Sequence, residues 1–295
     1  MEDQPNEGMP LVSVIVPTYN SAGVIGRCLS AVGAQTYERV EVIVVDQSSG
    51  DDTIRIASMA GAHVLQVPAP AFYSPPTASR NTGAKRAQGS ILYHLDSDMA
   101  PEPGVLEEAV ELLARDDGLV ALVVPEVDDV GGYWSRCKAL ERRCYWSDDA
   151  IESARIVRAA TFHRVDGYDE ELNSGEDFDI HRRYQTVGRT GRTSATVAHD
   201  LRGLGFRQAV RKKFQYGKTA SLYFDKQGET GANLVRVQLA AFLRNRAELR
   251  RNPLIGLGMV GLKVSELAAG LTGAGAARLN EGRGGKDPRQ NNLGF

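Results

Sequence analysis

Apolar positions in the first 125 residues fall into five short runs rather than one long stripe. "LVSVIVP" at 11–17, "EVIVVD" at 41–46, "AHVLQV" at 62–67, "SILYHLD" at 90–96 and "GLVALVVP" at 118–125 are rich in β-branched residues. Each predicts a strand. Segments 22–34, 52–60, 79–88 and 103–115 lie between them and carry helical spacing. Strands that are apolar on both faces and alternate with helices build an α/β layer on a mostly parallel sheet. Ligands of such sheets gather beyond the carboxyl ends of the strands.

Further along, "GGYWSRCKALERRCYW" at 131–146 holds both tryptophans at helical spacing. It predicts an amphipathic helix, with a sugar-stacking lid as the other reading. "VRAATFHRVDGYDEEL" at 157–172 predicts a short strand and turn, "GEDFDIHRRY" at 175–184 a loop entering a helix, and "RTSATVAHD" at 192–200 a last strand ending at His199. From residue 205 the pattern changes to long basic-amphipathic helices. The late stretch "NPLIGLGMVGLKVSELAAGLTGAGAA" is interrupted by Lys263 and Glu266, which leaves a clean run shorter than the roughly 20 apolar residues that span a bilayer. Leu254, Leu257, Val260, Val264, Leu267 and Leu271 share one face of it. The expected organisation is a flexible N-terminus over 1–10, a catalytic α/β domain over 11–204, a basic helical extension over 205–279 and a disordered tail over 280–295.

Composition adds little until charge is mapped along the chain. Hydrophobic residues make up 42% and charged residues 24% of the 295 positions, as in soluble globular proteins. "MEDQPNEGMP" lacks a secretory signal, so a cytoplasmic location is expected. Cys28, Cys137 and Cys144 form no C-x-x-C pair and point to buried thiols rather than a disulfide framework or zinc ribbon. The net charge of -2 hides a division: residues 1–200 carry 18 basic and 31 acidic groups, whereas 201–251 carry 12 basic and 3 acidic. With no nucleic-acid motif and an acidic front, the basic segment suits an anionic membrane surface at the inner face of the cell membrane, not nucleic acid.

Polar residues fall where the ligand rule places them. "TYN" follows the first strand, "DQSSGDDT" the second and "DSD" the strand at 90–96. Asp96 and Asp98, one residue apart after "ILYHL", repel each other unless a cation lies between them. Hard oxygen ligands of this kind suit Mg²⁺ or Mn²⁺ shared with substrate phosphates. A second acidic pair, Glu176 and Asp177 in "GEDFDI", also suits a helix N-terminus. Displacement of a diphosphate needs a base at the attacking hydroxyl and an electrophile at the leaving group, and one carboxylate cannot serve both.

In order and spacing, "VSVIVPTYN", "EVIVVDQSSGDDT", "ASRNTGAKRAQGSILYHLDSDMAPEP" and "GEDFDI" resemble the family-2 glycosyltransferases, over roughly residues 11–200. The resemblance implies a GT-A fold and inverting transfer from a UDP- or GDP-linked sugar, with a divalent metal, to a glycan or lipid-linked acceptor. It implies that Pro17, Thr18 and Tyr19 line the base pocket, that Asp46 bonds the base and that Arg80 closes the same site. Asp96 would face the ribose or donor sugar, Asp98 would ligate the metal, Asp177 would be the general base beside Glu176, and His199 would reach the metal or diphosphate. One departure is Gln47, where many relatives have a second acid; acidity returns at Asp51 and Asp52. The alternatives are a sugar nucleotidyltransferase, disfavoured because "TYNSAGVIGR" is not a phosphate loop, and a catalytically silent sugar-nucleotide-binding or scaffold protein.

Overall fold

The computed structural model describes residues 8–68, 76–146, 152–172, 174–227 and 231–282. Of the flexible start expected over 1–10, residues 1–7 lie outside the described residues, as do residues 69–75 and residues 283–295 of the tail expected over 280–295.

The elements run β1 (Val12–Thr18), α1 (Ile25–Gly33), β2 (Val40–Asp46), α2 (Thr53–Met59), β3 (His63–Gln66), α3 (Thr77–Arg86), β4 (Ile91–His94), β5 (Met99–Pro101), α4 (Val105–Arg115), β6 (Leu119–Val123), β7 (Glu126–Asp129) and α5 (Tyr133–Arg143). They continue β8 (Ile156–Arg158), α6 (Ala159–Arg164), α7 (Glu176–Gln185), β9 (Arg189–Arg192), β10 (Val197–Asp200), α8 (Phe206–Gln227), α9 (Gly231–Arg244), α10 (Arg246–Arg251) and α11 (Pro253–Gly282). All five predicted strands and four predicted helices of the first 125 residues are present within a few residues of their expected bounds. Where the sequence pattern gave a strand and turn over 157–172, the turn is the helix α6, and β5, β7 and β9 were not expected.

Seven strands form the central sheet in the order β3-β2-β1-β4-β8-β6-β9. Within it β3, β2, β1 and β4 are mutually parallel, as are β6 and β9, and β8 alone runs against its neighbours. The protein is thus an α/β fold with a mostly parallel sheet. Val12, Val14 and Val16 pack into one core layer with the apolar faces of α1 and α4, and Ile15 joins the other with Leu92, Val157, Ile180 and Tyr184. β1 therefore has both faces covered, which is why its sequence shows no alternation. Gly83 brings α3 down onto β1, since a Cβ there would lie 2.4 Å from Ile15 Cγ2. That close approach seats Arg80, one turn earlier, against the carboxyl end of the sheet.

A smaller three-stranded sheet, β5-β10-β7, lies at the rim. β5 begins directly after Asp98 and pairs antiparallel with β10, placing His199 opposite Met99, while Asp128 of β7 stands opposite His199 on the other side. Two residues 101 positions apart, Asp98 and His199, meet because of this register.

The C-terminal helices pack on α5. Cys137 and Leu140 of α5 share a buried cluster with Ala209, Met259 and Leu262, and Trp134 stacks at 4.8 Å on Phe206. The helix reading of 131–146, rather than a sugar platform, is what Trp134 supports. All three cysteines are free and buried, as the sequence predicts. The expectation that the late apolar stretch is too short to cross a membrane is corrected. Pro253–Ala277 is long and apolar enough by length and composition, because only Lys263 and Glu266 interrupt it and the helix runs unbroken through both.

Candidate active site

Six separate parts of the chain, around Arg80, Asp96, Glu126, Arg142, Arg155 and Asp177, deliver charge to the carboxyl ends of β4 and β6. Asp96 follows β4 by two residues, and its carboxylate receives Arg80 Nη2 at 2.6 Å. Arg80 is 1% exposed, its Nη1 donates to Asp177 Oδ1 at 2.8 Å, and its guanidinium lies 5.0 Å over the Tyr168 ring. Arg80, expected to close the nucleotide site, clamps the two carboxylates that the resemblance assigns to the donor sugar and to the general base. Asp177 and Glu176 open α7, whose preceding Gly175 sits at φ +79°, a left-handed conformation that costs glycine little.

Because β8 is antiparallel, its amino end sits at the same rim as the carboxyl ends of β4 and β6. Arg155, one residue before β8, therefore reaches Asp96 Oδ2 at 3.2 Å, Asp177 Oδ2 at 3.4 Å and Glu126 Oε1 at 3.7 Å. Glu126 follows β6 as Asp96 follows β4, and it also pairs with Arg142 of α5. Arg142 Nη1 touches Asp128 Oδ1 at 3.1 Å and lies 2.7 Å from His199 Nδ1. Three guanidiniums thus alternate with Asp96, Asp177 and Glu126 in one network.

The network fixes protonation. Burial opposes ionisation of Asp96, but Arg155 and Arg80 hold its carboxyl well below the usual range. Glu126 is likewise held low against burial by Arg142, His199 and Arg155. Glu176 behaves oppositely: burial, then the neighbouring Asp177, push it up to about 7. For His199, burial alone would lower the pKa, yet hydrogen bonds to Asp98 and Glu126 raise it to about 9. Its Nε2 lies 3.3 Å from Asp98 Oδ2 and its Nδ1 3.1 Å from Glu126 Oε2.

At the other side of the rim, Thr18 Oγ1 donates to Asp46 Oδ2 at 2.7 Å, and Ser49 gives Asp46 both its backbone N–H, at 2.7 Å, and its hydroxyl, at 2.6 Å. Asp46 is fully buried and organises the loop after β2. Pro17 and Thr18 end β1 in register with Val45 and Asp46, while Tyr19 is half exposed beside them. Asp51 and Asp52, the acids that follow Gln47, are engaged locally: Asp51 accepts from Thr53 and from Ala22 N–H, and Asp52 pairs with Arg55. Gln47 itself donates to Ser79 Oγ at 3.1 Å.

Among the described residues, no three His, Cys, Asp or Glu side chains converge to hold a metal unaided. Asp98 and His199 offer one oxygen and one nitrogen ligand, and the Asp98 side chain is 41% exposed toward the rim. This donor set fits a divalent ion whose remaining ligands come from substrate phosphate and water.

The Glycosyl transferase family 2 model matches residues 13–166, more than half of the chain. The chain belongs to that family. As a family 2 member it is 31% identical over 234 residues to Glycosyltransferase AglE of Haloferax volcanii, covering 71% of this chain and 73% of the relative. It is 30% identical over 228 residues to the pre-mycofactocin glycosyltransferase of Mycobacterium tuberculosis, of which it spans only 47%. Among solved structures it resembles the mannosyltransferase PcManGT from Pyrobaculum calidifontis, in complex with GDP-Man and Mn²⁺, with TM-score 0.56 and 21% identity over 94% of this chain and 80% of that one. Residues 1–349 of S. aureus TarS, in complex with UDP-GlcNAc, give TM-score 0.54 and 17% identity over 93% and 92%. These structural likenesses establish the GT-A fold. Family 2 membership establishes a glycosyltransferase.

Arg155, Glu126, Arg142 and Asp128 are the site residues that sequence reasoning missed. Glu126 had a readable signal, because it ends an apolar strand as Asp46 and Asp96 do. Arg142 sits among several similar basic residues of "ERRCYW", and Arg155 acquires its meaning only from the direction of β8.

Proposed function

We propose that this family 2 member is an inverting transferase that moves a sugar from a UDP- or GDP-linked donor to a hydroxyl of a glycan or lipid-linked acceptor. It would act in cell-surface polysaccharide, glycolipid or lipid-linked glycan synthesis, on the cytoplasmic side of the membrane. Residues 11–204 are the catalytic unit and 205–279 its appended helices. The observation that carries the reading is the convergence of Asp96, Asp98, His199 and Asp177 at one rim through the β4 end, the β5–β10 register and the α7 start.

In this reading Pro17, Thr18 and Tyr19, with the Asp46 loop behind them, receive the base, and Asp96 faces the ribose or sugar. Asp98 and His199 would hold Mg²⁺ or Mn²⁺, which supplies positive charge at the departing diphosphate. Asp177, oriented by Arg80 and Arg155, accepts the proton of the acceptor hydroxyl as its oxygen bonds to the anomeric carbon and the bond to the diphosphate breaks. Neighbours solved with GDP-Man and Mn²⁺ and with UDP-GlcNAc support the choice of donors and metal to test.

A thermal-shift panel of UDP- and GDP-sugars, each with and without Mn²⁺, tests this directly. One donor is expected to raise Tm only when the metal is present, and Asp98→Ala is expected to abolish that rise. If no nucleotide sugar stabilises the protein under any metal condition, the chain is a silent scaffold instead.

A further inference from the structure

α11 carries the longest apolar stretch of the chain, and the two charges within it are turned inward. Lys263 Nζ lies 2.6 Å from Glu141 Oε1, and Lys138 Nζ reaches Glu266 Oε1 at 3.0 Å and Glu141 Oε2 at 2.8 Å. Glu141 and Glu266 are buried, and despite burial the two lysines pull the Glu141 pKa down to about 2. These four charges balance, with Lys213 of α8 close enough to feel all of them, and the cluster belongs to the seam that α5 and α11 share. On the same side, Gly217 and Gly273 let α8 and α11 touch backbone to backbone, since a Cβ at Gly217 would lie 2.0 Å from the Gly270 carbonyl and one at Gly273 2.1 Å from that of Phe214.

What remains on the outside is a stripe without charge. Leu254, Leu257, Val260, Val264, Leu267 and Leu271 are 45–72% exposed, and together they run along about 26 Å of helix at the usual rise. Exposed apolar surface of this extent on one helix face marks a contact surface. Arg246 and Arg250 of α10 are exposed immediately before the stripe begins, within the segment that carries the excess of basic residues. Positive charge at the head of an apolar stripe complements anionic headgroups over acyl chains.

We infer that α10 and α11 dock the enzyme on an anionic bilayer, with α11 lying in the plane of the interface. A spanning arrangement is excluded by the seam. It would strip α11 from α5 and α8, carry Lys263 and Glu266 into hydrocarbon without Glu141 and Lys138, and leave those two on α5 without their α11 partners. Docking in the plane keeps every one of those bonds. A cleft of about 470 Å³ whose lining includes Glu126 and Arg142, which touch His199, also includes Asn252 and Ile255, where α10 passes into α11. The docking surface stands independently of the donor chemistry.

Co-sedimentation of the full chain with vesicles tests it, comparing pure phosphatidylcholine with phosphatidylcholine containing phosphatidylglycerol. The protein is expected to pellet with the anionic vesicles and to remain largely in solution with the neutral ones. Leu257→Glu/Val264→Glu and, separately, Arg246→Glu/Arg250→Glu should each weaken partitioning on the order of tenfold or more. Their circular dichroism and their donor hydrolysis in detergent-free solution should match the unaltered protein. Absence of vesicle binding by the unaltered chain, or binding undiminished in both variants, overturns the proposal. So does a stable dimer that Leu257→Glu/Val264→Glu converts to monomer while vesicles capture neither form, since the stripe is then a subunit interface.

Discussion

Asp177→Asn is expected to fold, to bind the nucleotide-sugar donor with near-normal affinity, and to lose transfer by about a thousandfold, within the range that a positioned general base contributes. The amide preserves the shape of the carboxyl group and its single oxygen can still accept from Arg80, while its NH2 replaces the oxygen that faces Arg155, so the shorter arm of the clamp on α7 persists while the proton acceptor is gone. Its neighbour provides the control. Glu176 carries a pKa pushed up to about 7 by burial and by Asp177, and it is partly protonated near neutrality. Glu176→Gln should therefore cost transfer far less than Asp177→Asn at neutral pH. Steady-state kinetics on the two variants, with donor affinity measured by calorimetry, separate them. Equal losses would move the base to the pair as a whole, and a larger loss in Glu176→Gln would exchange their roles.

The second large effect is on stability. Arg80 is buried with its fork spread between Asp96 and Asp177 and its plane over Tyr168. Arg80→Met removes one side of that network and leaves two carboxylates to Arg155 alone, which is expected to destabilise the fold by about 3–5 kcal/mol, as breaking a buried ion pair commonly does. Arg80→Lys should recover little of it, because a single ammonium cannot bond both carboxylates and stack on the ring at once. Urea unfolding of the three proteins measures the difference. Wild-type stability in Arg80→Lys would mean that net charge, not the bidentate geometry, holds the site together.

Much of this architecture is legible in the chain because the two-sided burial of the central strands leaves an unmistakable pattern. β1, β2, β4 and β6 read as near-continuous apolar runs, and Asp46 and Asp96 stand out as charges at or just past their ends. The same logic applied to "GLVALVVPE" would have found Glu126. Other elements carry no such signal. β5 is three residues ending in proline, β7 is "EVDD" with a single apolar side chain, and β9 is "RTGR". They are strands because a neighbour supplies their hydrogen bonds, and that pairing is a property of the folded molecule, not of local propensity. Arg80 illustrates the same limit within the site. Nothing in "TASRNTG" distinguishes an arginine aimed at the base pocket from one aimed at Asp96 and Asp177. Close packing of Gly83 on Ile15 makes that choice. Lys263 and Glu266 were read as interruptions of an apolar stretch, yet their partners Glu141 and Lys138 lie more than a hundred residues earlier and remove both charges from the surface.

The most direct test of metal-dependent inversion is to watch an α-linked nucleotide sugar being cleaved, with water as acceptor, by proton NMR before the released sugar equilibrates. Appearance of the β-anomer first, dependent on Mn²⁺ or Mg²⁺ and absent from Asp177→Asn, is the predicted result. Release of the α-anomer first, or cleavage indifferent to a chelator and to Asp98→Ala, would contradict the account.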